Sequence, residues 1–387
     1  MTLRSLVPAL GTLAPALVAL AMAPIHAGDT PVTFHGWADT ILSVGDDSQK
    51  DDPATKQKEK AFGAGFYAQG SLKVNWTVTD KLTAKLNAFI NPGPGSAVNL
   101  REAYFTYNLG SGVKWSMGKY IDHMGWISAE PTGLYVINAS LIGYTSLYGN
   151  DVIGTAVSFS EKEVPVSGSI HITNGYFSSA DNYSRGTNTA DSTGRENIDL
   201  GYGLDLVVTP SDAFSANAEL AFDPSTAAAG GVKGGGMYVV GLNATAKAAG
   251  FTIGLEGMYA AKQKDSSPTA GKVDGTDMNR YQANLLVNYA LPDTKFPMSV
   301  SVQGQYIRTN NKVVVAGGGG GQGGGATNTE EKATTMAQGT LALLTNPLKD
   351  TNFGLNAELA MFTGNTEMNN APVTRGVQFS LEGIVAF

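Results

Sequence analysis

From Pro31 to the last residue the chain alternates apolar and polar side chains with a period of two. Such alternation places successive side chains on opposite faces of an extended strand and is incompatible with the 3.6-residue period of a helix. Phe66, Ala68, Gly70, Leu72, Val74 and Trp76 share one face of such a segment, while Tyr67, Gln69, Ser71, Lys73 and Asn75 share the other. The same pattern sets Phe251, Ile253, Leu255 and Tyr259 against Thr252, Glu256 and Met258, and Phe353, Leu355, Leu359 and Met361 against Asn356 and Glu358.

Sixteen segments of this kind are predicted, at 31–44, 63–78, 81–91, 100–109, 112–118, 150–160, 164–174, 196–209, 213–222, 236–248, 250–262, 276–290, 297–309, 332–346, 352–363 and 373–387. Short turns, such as Thr79-Asp80, Gly110-Ser111 and Pro210 to Asp212, alternate with long polar connections. An even number of strands with that alternation of connections is the layout of a transmembrane antiparallel up-and-down β-barrel. A soluble sandwich would need bulky residues inside and no alternation of loop lengths. Here one face is repeatedly Ser, Thr, Asn, Gln, Lys and Glu, as a wet lumen requires. Aromatic residues fall into two expected interfacial girdles. Trp76, Tyr107, Trp115, Phe214, Phe251, Tyr289 and Phe387 lie at the short-turn ends; Phe222, Tyr238, Tyr259, Tyr281, Tyr306 and Phe362 lie toward the long loops.

Composition narrows the alternatives. Only 15% of the 387 residues are charged and 48 are Gly, against roughly a quarter charged and about 7% Gly in ordinary soluble domains. The 42% hydrophobic content disfavours disorder. After residue 27 no apolar run approaches the roughly 18 to 20 residues of a spanning helix. With no Cys there are no disulfides, thiolate metal sites or Cys nucleophiles, and a net charge of −7 disfavours nucleic acid as a partner. Arg4, the apolar run Leu6 to Ala23 and Pro24-Ile25-His26-Ala27 read as a signal peptide over 1–27, cleaved to leave a barrel at 28–387 that begins with Gly28. The last strand carries Val377, Phe379, Leu381, Val385 and Phe387 on one face and resembles the C-terminal insertion signal read by the barrel-assembly machinery.

A barrel of sixteen strands encloses an aqueous channel, so the expected function is passive diffusion of small hydrophilic solutes or ions, with outer-membrane lipid around it and no cofactor. The connection at 119–149 is the longest and is rich in aromatic and aliphatic residues, among them Tyr120, Trp126, Tyr135, Ile137, Leu141 and Tyr144, whereas 45–62 and 175–195 read as solvated. Such a loop is expected to fold against the inner wall; the alternative is a loop capping the mouth. The layout resembles that of sixteen-stranded general porins, whose third external loop narrows the pore and which also leave a homotrimer open. Asp122, His123 and Glu130 are then candidates to face Lys85, Lys114 and Glu102 on the wall, with Lys119 at the loop base.

Over 100–177 the motifs Leu100-Arg101-Glu102-Ala103-Tyr104, Met117-Gly118-Lys119-Tyr120, Gly125, Asn138-Ala139-Ser140 and Asn174-Gly175-Tyr176 resemble the OmpL-like β-barrel porin family. In that family a Gly-Lys-aromatic step leads into the long loop and an Asn-Gly-aromatic step closes a later strand. Many members carry Glu two residues after the glycine matching Gly125, where this chain has Ile127, so Glu130 is a substitute candidate.

Enzyme readings find less support. Gly63-Ala64-Gly65 opens a strand where a dinucleotide fingerprint needs a helix. His171-Ile172-Thr173-Asn174-Gly175 is similar to a His-x-Ser-Asn-Gly stretch of outer-membrane phospholipase, but Thr173 replaces the nucleophilic serine and alternation with Ile170 and Ile172 turns His171 into the lumen. No cluster of His, Asp and Glu has metal-ligand spacing along the chain. The other classes of function are surface binding or adhesion through external loops such as the glycine-rich 317–325, and a purely structural barrel.

Overall fold

A computed structural model describes residues 26–27, 30–51, 58–90, 98–126, 131–137, 147, 151–161, 163–177, 200–224, 235–263, 277–315, 328–348, 351–366 and 374–387. Each predicted segment forms a strand: β1 Thr30–Asp51, β2 Lys58–Thr77, β3 Leu82–Ile90, β4 Val98–Gly110, β5 Val113–Ile121, β6 Asp151–Ser160, β7 Val166–Thr173 and β8 Gly201–Ser211. The second half comprises β9 Phe214–Asp223, β10 Met237–Ala248, β11 Phe251–Lys262, β12 Asp277–Ala290, β13 Met298–Val315, β14 Asn328–Thr345, β15 Phe353–Thr366 and β16 Thr374–Ala386. His26–Ala27 adds two antiparallel pairs, to Pro31 and Thr30.

Every strand pairs antiparallel with its neighbours, and β16 pairs with β1 from Ala386↔Trp37 to Arg375↔Ser48, which closes the sheet. Closure leaves no free edge, the condition for a sheet to survive in lipid. Phe387 completes the seam by exchanging both backbone hydrogen bonds with Gly36, at 2.9 and 3.0 Å. Its ring covers the space where a Cβ of Gly36 would sit, so this glycine admits the terminal aromatic.

A spanning strand needs about 9 to 11 residues. β1, with 22 residues, and β13 and β14, with 18 each, exceed that length. The sequence pattern ended β1 and β13 early because Asp46, Asp47, Asn310 and Asn311 break the alternation, yet hydrogen-bonded hairpins continue outside the apolar band.

Side-chain alternation gives the barrel an apolar outside. Phe66, Leu100, Leu242, Leu255 and Val302 are all at least half exposed, a surface suited to hydrocarbon. Phe251 and Tyr289 pack at 4.4 Å near the short turns, and Tyr238, Tyr259 and Tyr281 form a ladder with ring centroids 5.9 and 5.1 Å apart toward the long connections. Phe362 departs from the girdle assigned to it. It pairs with inward-facing Gln338, and its ring fills the space beside Gly376, so it stands on the lumenal face.

Candidate functional site: the barrel lumen

Inside, the wall is polar and crowded. Asp39, Ser71, Asn87, Glu102, Glu219, Glu256, Asn284, Gln303, Glu358 and Glu382 are buried although they face the channel. What buries several of them is the connection between β5 and β6. β5 continues to Ile121, so this connection begins at Asp122.

The loop is held by its backbone. Gly125 N donates to Glu219 Oε2 at 2.7 Å, Trp126 N to Glu256 Oε1 at 2.6 Å, and Ile137 N to Glu358 Oε2 at 2.5 Å. The three acceptors stand on β9, β11 and β15, so the loop rooted beside β6 reaches across the lumen. Hydrogen bonds to an ionised acceptor are about twice as strong as neutral ones. Glu219 is further fixed by Asn217 and Asn243, whose amides donate at 2.6 and 2.7 Å. The Trp126 indole donates to Thr245 at 2.7 Å and stacks parallel to Tyr135 at 6.2 Å. Its ring lies where a Cβ of Gly254 would be, and Val136 packs on Leu286 and Ala342.

A second segment leans on the wall nearby. Tyr176 N and Phe177 N donate to Asp223 at 2.9 and 2.8 Å, and Gly175 takes a positive φ of 119° to make that turn. This gives a physical reason for the Asn-Gly-aromatic motif at 174–176. A Cβ at Gly203 would overlap the Tyr176 hydroxyl.

The candidate residues divide. Asp122 and His123 lie in the loop, and Asp122 is 8% exposed. Lys85 and Glu102 form their own wall pair at 2.8 Å, tied through Asn87 to Ser71 at 2.8 and 2.6 Å, so Lys85 neutralises the wall carboxylate beside it. Lys114 is exposed near the start of β5, eight residues from Asp122; at about 3.3 Å per residue they are roughly 26 Å apart, too far to pair. The register sets Lys119 beside Ala103 and Ile153 in an outward-facing row, with its amine 3.5 Å from Asp151. Lys114 is thus too far away to face the loop carboxylates, while Lys119 stands at the base of the loop beside Asp151. Glu130, Ile127, Asn138 to Ser140 and 317–325 lie outside the described residues. Sequence reasoning missed Glu219, Glu256 and Glu358, although each is an acidic residue on an alternating strand and was legible as lumenal.

Near the loop root His123, His171 and Asp205 converge from the loop, β7 and β8, their ligand atoms all within 4.8 Å of one another. The His rings stack at 4.3 Å. His171 Nε2 lies 3.4 Å from Asp205 Oδ1, its Nδ1 lies 3.2 Å from the Tyr120 hydroxyl, and Ser169 Oγ contacts both His171 Nε2 and Asp205. Burial, then the adjoining His171, pushes the His123 pKa down to about 4, so the ring is neutral at pH 7. Spacing along the chain could not show ligands that meet only across strands. His171 does face the lumen, as alternation predicts, with Ile170 and Ile172 outside.

Between the loop and the wall toward the short turns lies a cavity of about 670 Å³, bounded by Trp126, Tyr135, Thr209, Thr245, Lys247 and Gln303.

A closed sixteen-stranded barrel with an apolar exterior and a polar interior is the fold of the outer-membrane porins. The outer membrane channel DcaP of Acinetobacter baumannii superposes with a TM-score of 0.59 at 12% identity, covering 95% of this chain and all of that one. The anion-selective porin from Comamonas acidovorans gives 0.55 at 14%, covering 92% and 100%, and OprB of Pseudomonas putida gives 0.54 at 9%, covering 92% and 94%. At such identities the likeness is one of fold. No family model matches the chain, and no curated protein does.

Proposed function

We propose that the protein is an outer-membrane porin, a passive channel for small hydrophilic solutes whose bore is set by the loop that follows β5. The observation that carries this reading is the clasp of three lumenal carboxylates on loop backbone amides inside a closed, polar-lined barrel. A mouth cap would need no partners on β9, β11 and β15. Residues 1–27 act as a cleaved signal for export, and the alternating terminal strand serves as the assembly signal. The motifs at 100–177 support kinship with the OmpL-like family, and that fold is compatible with a homotrimer. The reading makes the protein a conduit with no catalytic step: His171 and Thr173 face a lumen, away from the lipid that a phospholipase must reach.

The test is single-channel conductance of the refolded protein in planar bilayers. Discrete, nearly ohmic steps are expected, with larger steps when Glu219, Glu256 and Glu358 are replaced together by Ala. Each hydrogen bond to a charged group contributes about 1.5 to 3 kcal/mol, so the loop should leave the wall. Silence of the wild-type barrel across repeated insertions would refute the channel, and unchanged steps in the triple variant would refute the clasp.

A further inference from the structure

We propose that His123, His171 and Asp205 form a binding site for one divalent transition-metal ion, of the Zn²⁺ class, that fastens the inward loop to the barrel wall. This goes beyond passive diffusion: it assigns the lumen a ligand of its own.

Two imidazole nitrogens and a carboxylate oxygen are a known donor set for Zn²⁺, with bonds of about 2.0 to 2.2 Å. In a tetrahedral ion, donors at that distance stand roughly 3.3 Å from one another. His171 Nε2 and Asp205 Oδ1, at 3.4 Å, already have that separation on adjacent strands. The third donor comes from the loop, within 4.8 Å, and the His123 ring, now stacked on His171, would turn out of that stack to complete the set. Both His123 ring nitrogens are buried and make no well-formed hydrogen bond, with only the backbone of Leu204 and Leu220 close by, so coordination would satisfy a nitrogen that the fold leaves poorly served. The Tyr120 hydroxyl can accept from His171 Nδ1–H, which leaves the Nε2 lone pair directed at Asp205; an outer hydrogen bond of this kind typically orients metal-ligating histidines. A water would supply the fourth position, with Ser169 Oγ, which stands between the two wall donors, turning aside to admit the ion. A hard ion such as Mg²⁺ prefers six oxygens and finds few here.

Glu219 and Glu256 hold the backbone just beyond His123, and Asp223 holds the second segment. An ion would add a bond at the loop's root. Its effect would be on loop motion, with little change in mean bore.

The experiment is calorimetric titration of refolded full-length protein, stripped of metal by chelator, with Zn²⁺ and separately with Mg²⁺. One Zn²⁺ per chain with micromolar or tighter affinity is expected, weakened at least tenfold in His123→Gln and in Asp205→Asn. No such loss is expected in His35→Gln, and Mg²⁺ should not compete. Heat-modifiable migration verifies that each variant is folded; His123→Gln, in a loop, keeps the test usable if a wall variant fails to assemble. No Zn²⁺ binding by the wild type, or equal binding by folded His123→Gln, overturns the site. The titration needs no conduction, so its outcome is independent of the channel reading. In bilayers, Zn²⁺ should reduce open-channel noise of the wild type and leave His123→Gln unchanged.

Discussion

At the residue scale, what governs each position is which side of a wall one residue thick it occupies. Leu255 and Leu285 face outward, directly paired, at 57% and 48% exposure. Arg at either should destabilise the barrel by about 2 to 4 kcal/mol if it lies near the midplane, whereas Arg at inward, exposed Thr209 should be nearly neutral. Urea titration in detergent or lipid measures the difference, and equal losses would invert the face assignment. Parity alone would also make Asn284 and Gln303 tolerant. Their environment predicts the opposite: Gln303 donates to Asn284 at 3.0 Å, and both are almost fully buried. Gly254 offers a sharper probe. A Val there would occupy the place of the Trp126 ring, so the variant should assemble normally yet conduct in larger steps. Identical conductance would mean that Trp126 does not narrow the path.

At the scale of elements, the strands were legible and the loop's partners were not. A strand advertises itself through a local period of two, and the positions of all sixteen follow from it; only their ends shifted, as in β1, where polar residues outside lipid still pair. The clasp from Ile137 to Glu358 joins positions 221 residues apart, and no local pattern encodes it. The long aromatic connection was conspicuous for its composition, yet its side chains proved less telling than its backbone N–H groups, which every sequence possesses. The same limit hid the meeting of His123 with His171 and Asp205. For β16 the pattern makes its own prediction: Phe379 and Phe387 changed together to Asp should lower the heat-modifiable form recovered from outer membranes. Wild-type recovery would dissociate the terminal strand from insertion.

For the molecule as a whole, charge is spent locally. The net −7 of the chain does not by itself describe the bore: Lys85 neutralises Glu102, while Glu219, Glu256 and Glu358 are turned onto loop amides and Asp223 onto those of Tyr176 and Phe177. Asp122 is a described loop carboxylate buried in a confined space, where charge acts more strongly than at an open rim. Asp122→Asn should therefore shift the reversal potential in a salt gradient toward anions, and an unmoved potential would remove Asp122 from the selectivity determinants. Mass spectrometry of the purified protein should find Gly28 first; retention of residues 1–27 would contradict the export signal. The reach of the clasp bears on how the barrel is made. A loop that leaves the chain after β5 and is gripped by β9, β11 and β15 lacks those three carboxylate acceptors until the later strands are in place. Its docking is thus a late event in biogenesis, after the first strands have formed, and until then the nascent barrel is a wider vessel than the finished one.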